Sequence, residues 1–151
     1  MKQTDNFKFD EANVMNELVY RNLSEDAKRQ ICAWKYGGEY DLYNLPAYEE
    51  MQVRQIGFMN PKSEKNYYGF WDESILVGFV NILEEKEEVF IGIGVNPDFC
   101  NKHYGQRMLL ITYEISKKLY PDKPLYLEVR TWNIRAVKCY QKAGFRIDGQ
   151  A

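Results

Sequence analysis

Histidine is almost missing from this sequence. Its single copy, His103, stands far from two of the three cysteines, Cys32 and Cys139, and no two cysteines form a C-x-x-C pair. That pattern excludes the usual zinc sites. An odd set of cysteines (Cys32, Cys100, Cys139) with no close pairing implies free thiols in a reducing compartment. No apolar run reaches the length of a membrane-spanning helix, and the residues after Met1 lead into no signal-peptide core. Basic residues are not in excess: the net charge is −2, so no broad positive field exists for nucleic acid or an anionic membrane. Repeats and low-complexity tracts are lacking too. These absences lead us to expect a soluble, cytoplasmic protein without a metal.

What is present is aromatic and apolar. Twelve tyrosines and eight phenylalanines sit in a chain that is 45% hydrophobic. A chain of 151 residues, read as one domain over 1–151, buries roughly two thirds of its unfolded surface. The spacing of Val14, Leu18 and Val19 predicts a helix over Asp10 to Asn22. Ser24 predicts an N-cap for a second helix running toward Trp34. Glu39 to Tyr48 reads as a loop and Glu49 to Gln55 as a short helix or turn. Strands follow at Tyr67–Trp71, Ile75–Leu83 and Val89–Val95, and their short connections predict antiparallel pairing.

The last third alternates between helix and strand. Tyr104, Met108, Ile111, Ile115 and Leu119 fall on one helical face. Pro121 and Pro124 end that helix, and Leu125–Arg130 alternates as a strand. A helical crossover places this strand parallel to Val89–Val95. Asn133 caps a final helix that ends at Gly144. The fold class is therefore α+β: antiparallel strands pass into a parallel pair flanked by helices.

Two segments carry chemistry. A helix beginning near His103 turns amides of Lys102 to Arg107 outward, and unpaired helix-start amides bind phosphates. Gly105 lets a ligand approach the backbone, and Lys102 and Arg107 add cations. The alternative is an ordinary helix start. Tyr140 is either a core aromatic or a proton donor in a cleft. Asn133 is a cap by default and a ligand contact otherwise.

The two segments together resemble the GNAT superfamily of N-acetyltransferases. Asn133-x-Arg135-Ala136-x-x-x-Tyr140-x-x-x-Gly144-Phe145 is similar to the family pattern at each key position. The family's Arg/Gln-x-x-Gly-x-Gly/Ala motif falls on Cys100 to Gly105, where only the last glycine matches; Cys100 replaces Arg or Gln, and His103 replaces the first glycine. The resemblance implies a GNAT-like mixed sheet whose parallel pair splays apart, with acetyl-coenzyme A (acetyl-CoA) as donor. It implies that Ile93, Gly94 and Val95 hold pantetheine through their backbone. Lys102, His103, Tyr104, Gly105, Gln106 and Arg107 would surround the pyrophosphate, with Asn133 and Tyr140 also at the cofactor. It implies direct attack by a primary amine of a small molecule or peptide. The Val95 N–H would bind the oxyanion, Tyr140 would act as general acid, and Glu87 or Glu88 would serve as base through water. The competing reading of Glu84 to Glu88 is a solvated turn.

Family members continue through further strands after the Gly-Phe pair, whereas only Arg146 to Ala151 remain here. The final strand is expected to be missing, leaving an edge that a second copy can cover in a homodimer. The alternative function is a non-catalytic coenzyme A-binding or protein-interaction module that retains the fold.

Overall fold

The computed structural model describes residues 2–3, 18–100, 102–130 and 132–146. The strands are β1 (Lys2–Gln3), β2 (Val19–Asn22), β3 (Tyr67–Asp72), β4 (Ile75–Glu84), β5 (Val89–Val95), β6 (Leu125–Tyr126) and β7 (Phe145–Arg146). They form one mixed sheet in the order β2-β3-β4-β5-β6-β1-β7. The longer helices are α1 (Glu25–Ala33), α2 (Tyr48–Arg54), α3 (Tyr104–Leu119) and α4 (Ile134–Lys142).

Local sequence accounts for most of these elements. Ser24 Oγ accepts from the Ala27 amide at 3.1 Å, so α1 starts where the cap predicts. A two-residue turn with Glu73 at φ 55 joins β3 to β4. The run β2-β3-β4-β5 is antiparallel throughout. Helix α3 then crosses over and brings β6 parallel to β5, with Val89 opposite Leu125 and Phe90 opposite Tyr126.

Alternation along β5 divides the sheet into two faces. Val89, Ile91, Ile93 and Val95 pack with Met108, Leu109, Leu127 and Phe145, on the side of α3 and α4. Phe90, Gly92 and Gly94 turn to the other side, where Ile31, Met51, Phe58 and Leu76 form a second core with α1 and α2. Each fully buried large aliphatic side chain stabilises the fold by roughly 1.5–3 kcal/mol.

Three expectations are corrected. Val19–Asn22, predicted as the end of a helix, is a strand paired with β3; residues 10–17 of that helix lie outside the described residues. The neighbouring strand overrides a short helical spacing. The strand predicted over Leu125–Arg130 keeps its ladder only through Tyr126. The edge beside β6 is covered by Lys2–Gln3, which pairs with both β6 and β7. No sequence pattern marked that two-residue strand.

Candidate active site

The break after Tyr126 makes the site. Beyond Phe90 the strand β5 continues for five residues paired with β4 alone. Asn96 holds its far end to β4. Its Nδ2 donates to the Leu76 carbonyl at 3.0 Å, its amide donates to Val77 O at 2.8 Å, and its Oδ1 accepts from the Asp98 amide at 3.0 Å. The chain after β6 runs instead toward α4. A cleft of about 1560 Å³ passes through the gap between them.

Backbone parity fixes what faces the gap. The Asn96 to Val77 bond makes Gly94 a partner of β4 and turns the peptide groups of Ile93 and Val95 away from β4, into the cleft. Tyr36, from the segment after α1, reaches the same place: its hydroxyl donates to the Val95 carbonyl at 2.6 Å. Gly94 therefore matters through its missing side chain. A Cβ there would meet Phe79 Cε1 at 2.3 Å.

At one end of the cleft lies the start of α3. Its N-terminal residue His103 has φ 65 and makes no side-chain cap bond. This is the left-handed conformation that favours glycine, at the position where the sequence departs from glycine. The first-turn amides of Tyr104, Gly105 and Gln106 have no acceptor within the helix. The Arg107 amide is already bonded to the His103 carbonyl at 3.2 Å, and its guanidinium lies 5.2 Å from the centre of the Tyr104 ring. Lys102 Nζ lies 5.3 Å from the Phe99 ring. A Cβ on Gly105 would stand 3.2 Å from Cys139 Sγ and 3.6 Å from Val95 Cγ2, so this glycine keeps α3 close to both α4 and β5.

Across the gap, α4 begins at Asn133. Its Oδ1 accepts from the Ala136 amide at 3.2 Å, and its Nδ2 donates to the Tyr43 hydroxyl at 3.1 Å. Both ends of this buried amide are thus engaged as a cap and a tie to the Gly38–Tyr43 turn. Gly144, at φ 98, follows the helix end. Tyr140 lines the cleft with Tyr36 and Tyr43. Burial pushes its phenol well above the ordinary tyrosine value, and Cys139, Tyr43 and Tyr36 add to the shift. Burial likewise pushes the Cys100 and Cys139 thiols up, away from thiolate chemistry.

The structure thus brings Ile93, Gly94, Val95, His103, Tyr104, Gly105, Gln106, Asn133 and Tyr140 around one cleft. It does not bring Glu88 there. Glu88 precedes β5, and the strand carries Val95 about 20 Å away. The neighbouring charged connection is a bend in which Glu85 N donates to Glu88 O at 2.9 Å. Sequence reasoning missed Tyr36 as a partner of Val95, and missed Asn81 and Glu128 in the cleft. The available signal was the alternation Gly92-x-Gly94 inside an apolar strand, which marks a sheet face left bare.

An open-sided strand facing a helix start and a tyrosine helix is the arrangement of an acyl-transfer fold. The family model for the acetyltransferase (GNAT) family matches residues 29–145, and the chain belongs to that family. The match begins in α1, well before the segment whose motifs are legible. A probable spermine N(1)-acetyltransferase of Bacillus subtilis subsp. natto is 31% identical over 99 residues, which are 58% of this chain and 65% of that protein. The aligned stretch is thus less than two thirds of that relative's length. Among solved structures, a chimera of the Vibrio cholerae spermidine N-acetyltransferase SpeG and hSSAT superposes with a TM-score of 0.73 at 20% identity, covering 88% of this chain and 82% of that one. A GNAT-family acetyltransferase from Bacillus anthracis gives a TM-score of 0.72 at 16% identity, covering 99% and 86%. These two establish the fold.

Proposed function

We propose that the protein transfers an acetyl group from acetyl-CoA to a primary amine of an aliphatic polyamine or similar small cation. The observation that carries this reading is the edge of β5 from Ile93 to Val95, which no second strand pairs, in one cleft with Tyr140. The names of the relatives, which describe spermine and spermidine acetylation, support the acceptor class. Trp34, Tyr36, Tyr67, Phe79 and Phe90 line the cleft and suit a cation by their ring faces.

The residues present fit the donor. The N–H and carbonyl of Ile93 offer strand-like pairing to pantetheine, while the Val95 carbonyl is taken by the Tyr36 hydroxyl. The amides of Tyr104, Gly105 and Gln106 offer donors to pyrophosphate, and Lys102 and Arg107 add charge nearby. Acetyl-CoA supplies the acetyl group as an activated thioester. The Val95 N–H, which faces the cleft, would stabilise negative charge developing on the acyl oxygen, a donor worth about 10²–10³ in rate. With the donor bound, a neutral amine would form the new C–N bond as the C–S bond breaks; Tyr140, which burial keeps protonated, would give its proton to the departing sulfur, and the proton released from the amine nitrogen would return to the phenolate through water.

The rival reading, a binding module without turnover, is favoured by one observation: His103 puts a side chain at a left-handed position that favours glycine, at the start of α3. Tyr140→Phe separates the two. We expect turnover with spermidine to fall by about 10²–10⁴ while calorimetric affinity for acetyl-CoA stays within a factor of about two. Wild-type turnover in that variant would remove Tyr140 from the mechanism. Saturable acetyl-CoA binding with no turnover of any amine by the wild type would establish the rival.

A further inference from the structure

We propose that Asn81 and Glu128 form a subsite for a second, non-reacting nitrogen of the acceptor. The proposal rests on the amine-acetyltransferase reading and adds how the site chooses among amines. Asn81 on β4 lies directly opposite Gly92 on β5. The parallel register, Phe90 opposite Tyr126, places Glu128 level with Gly92 on the far side of β5, just past the point where the ladder ends. Alternation puts Asn81, Phe90, Gly92, Tyr126 and Glu128 on one face, and all five line the cleft.

Gly92 makes the space between the amide and the carboxylate. A Cβ there would find Asn81 Cβ at 3.6 Å and Phe90 Cε1 at 3.7 Å, which is ordinary contact, so a hydrogen is all that covers this part of the floor. The Asn81 Oδ1 is shielded from water and has no hydrogen-bond partner. An acceptor left unpaired in this way costs about 1–3 kcal/mol, so it marks a place where something else is meant to bond. Asn81 lines the cleft, and rotation of its side chain toward the open space over Gly92 would give that oxygen an ammonium as its partner. The rings of Phe90 and Tyr126, 5.4 Å between centroids, form one wall. The Tyr126 hydroxyl is taken up by Glu85 Oε1 at 2.7 Å and does not compete for the floor.

The chemistry this place can satisfy is narrow. It offers an amide oxygen, a carboxylate and aromatic faces, all of which accept hydrogen or positive charge. An alkylammonium group, with N–H donors only, matches all three. An anion or a carbonyl matches none. The distance then sets the chain length. Three residue steps along β5 carry the chain from Gly92 to Val95, about 10 Å. Bonds of about 1.5 Å advance roughly 1.25 Å each in an extended chain, so the two nitrogens stand about eight bonds apart.

The test is a series of straight diamines from diaminopropane to diaminodecane, each paired with the monoamine of equal length. We expect the wild-type ratio of kcat/KM, diamine over monoamine, to peak near diaminoheptane. Asn81→Leu and Glu128→Gln should each lower that peak ratio about tenfold, through KM and not kcat, as expected for one hydrogen bond to a charged group. Asn81→Asp, which keeps an acceptor, should restore it. Gly92→Ala, which fills the floor without a clash, should lower it without loss of folding. A ratio unchanged within about twofold in the folded Asn81→Leu and Glu128→Gln proteins would overturn the subsite. Where the wild type turns over no amine, calorimetric titration of the coenzyme A-saturated protein with diaminoheptane decides separately. Weaker binding in Asn81→Leu would keep the subsite while the transfer reading falls. Equal binding, or none, would overturn the subsite.

Discussion

Replacing Tyr36 with phenylalanine removes one oxygen and leaves the ring in place. That oxygen donates to the Val95 carbonyl at 2.6 Å, across the part of β5 that has lost its second neighbour. A hydrogen bond of this kind contributes about 1 kcal/mol net, within a range of about 0.5–1.5. The carbonyl opens onto a cleft, so water can replace the phenol and the larger penalty for a buried orphan does not apply. Tyr36→Phe should therefore lower stability at neutral pH by about 1 kcal/mol, or about 2–4 °C in melting temperature for a chain of this length.

The pH dependence makes the prediction sharper. Burial, then the neighbouring Cys100, pushes the Tyr36 phenol well above its ordinary value of 10.0. An unfolded chain gives up that proton near pH 10, whereas the folded chain keeps it. Below pH 10 both states are protonated and the full contribution of the bond is present. Above pH 10 the unfolded state binds fewer protons, so stability falls as pH rises, by up to about 1.4 kcal/mol per unit. The phenylalanine of the variant has no proton to hold. Tyr140, also raised, is present in both proteins and cancels in their difference apart from the smallest contribution to its shift, which comes from Tyr36 itself. The wild type should thus start about 1 kcal/mol above Tyr36→Phe and cross below it between about pH 10 and 11. Urea unfolding followed by tryptophan fluorescence at pH 7 to 11.5, with a common slope, measures both limbs. Coincident midpoints at pH 7 would show that the bond adds nothing. Parallel curves through pH 11 would show that the phenol is solvated and that the cleft does not shield it.

Two glycine-related substitutions test the shape of the site. Gly94→Ala would drive a Cβ to 2.3 Å from Phe79, whose ring is held by Trp34, Phe58 and Tyr67; we expect a loss of about 1–3 kcal/mol in urea unfolding. His103→Gly removes a side chain from a backbone at φ 65 and should raise stability by about 0.5–1 kcal/mol, read as a higher melting temperature. Calorimetry should show acetyl-CoA binding retained or tightened in that variant, and a large loss would make the imidazole itself a phosphate ligand.

The elements with strong local signals were legible. The Ser24 cap, the antiparallel run from Tyr67 to Val95 and the Asn133 to Gly144 helix follow from capping, alternation and turn chemistry. The start of α3 and the open edge of β5 were legible for the same reason, because helix starts and strand edges are written in contiguous residues. Where the sequence reading failed, the deciding partner was distant. Val19–Asn22 becomes a strand because β3 lies beside it. Leu125–Arg130 loses its ladder because Asn96 fastens the end of β5 to β4 while the chain after β6 departs for α4. Arg107 illustrates a finer limit: its place in the motif suggested an amide open to phosphate, but in a helix capped at His103 the fourth residue already gives its amide to the cap carbonyl.

The two acidic candidates show most clearly what topology adds to composition. Glu88 and Glu128 both sit near the start of the parallel pair, and neither has a motif around it. Glu88 enters at the bottom of β5, where six further residues separate it from Val95. Glu128 lies two residues beyond the last ladder pair, where β6 has begun to leave, so its side chain borders the opening itself. The splay therefore gives one strand two separate tasks. At Ile93 and Val95 the backbone faces the gap and, in the proposed reaction, would serve the transferred group. At Gly92 the absent side chain leaves a floor between Asn81 and Glu128 that serves recognition. Because the two lie about 10 Å apart on a rigid strand, damage at the Val95 end should appear in kcat and damage at the Gly92 end in KM.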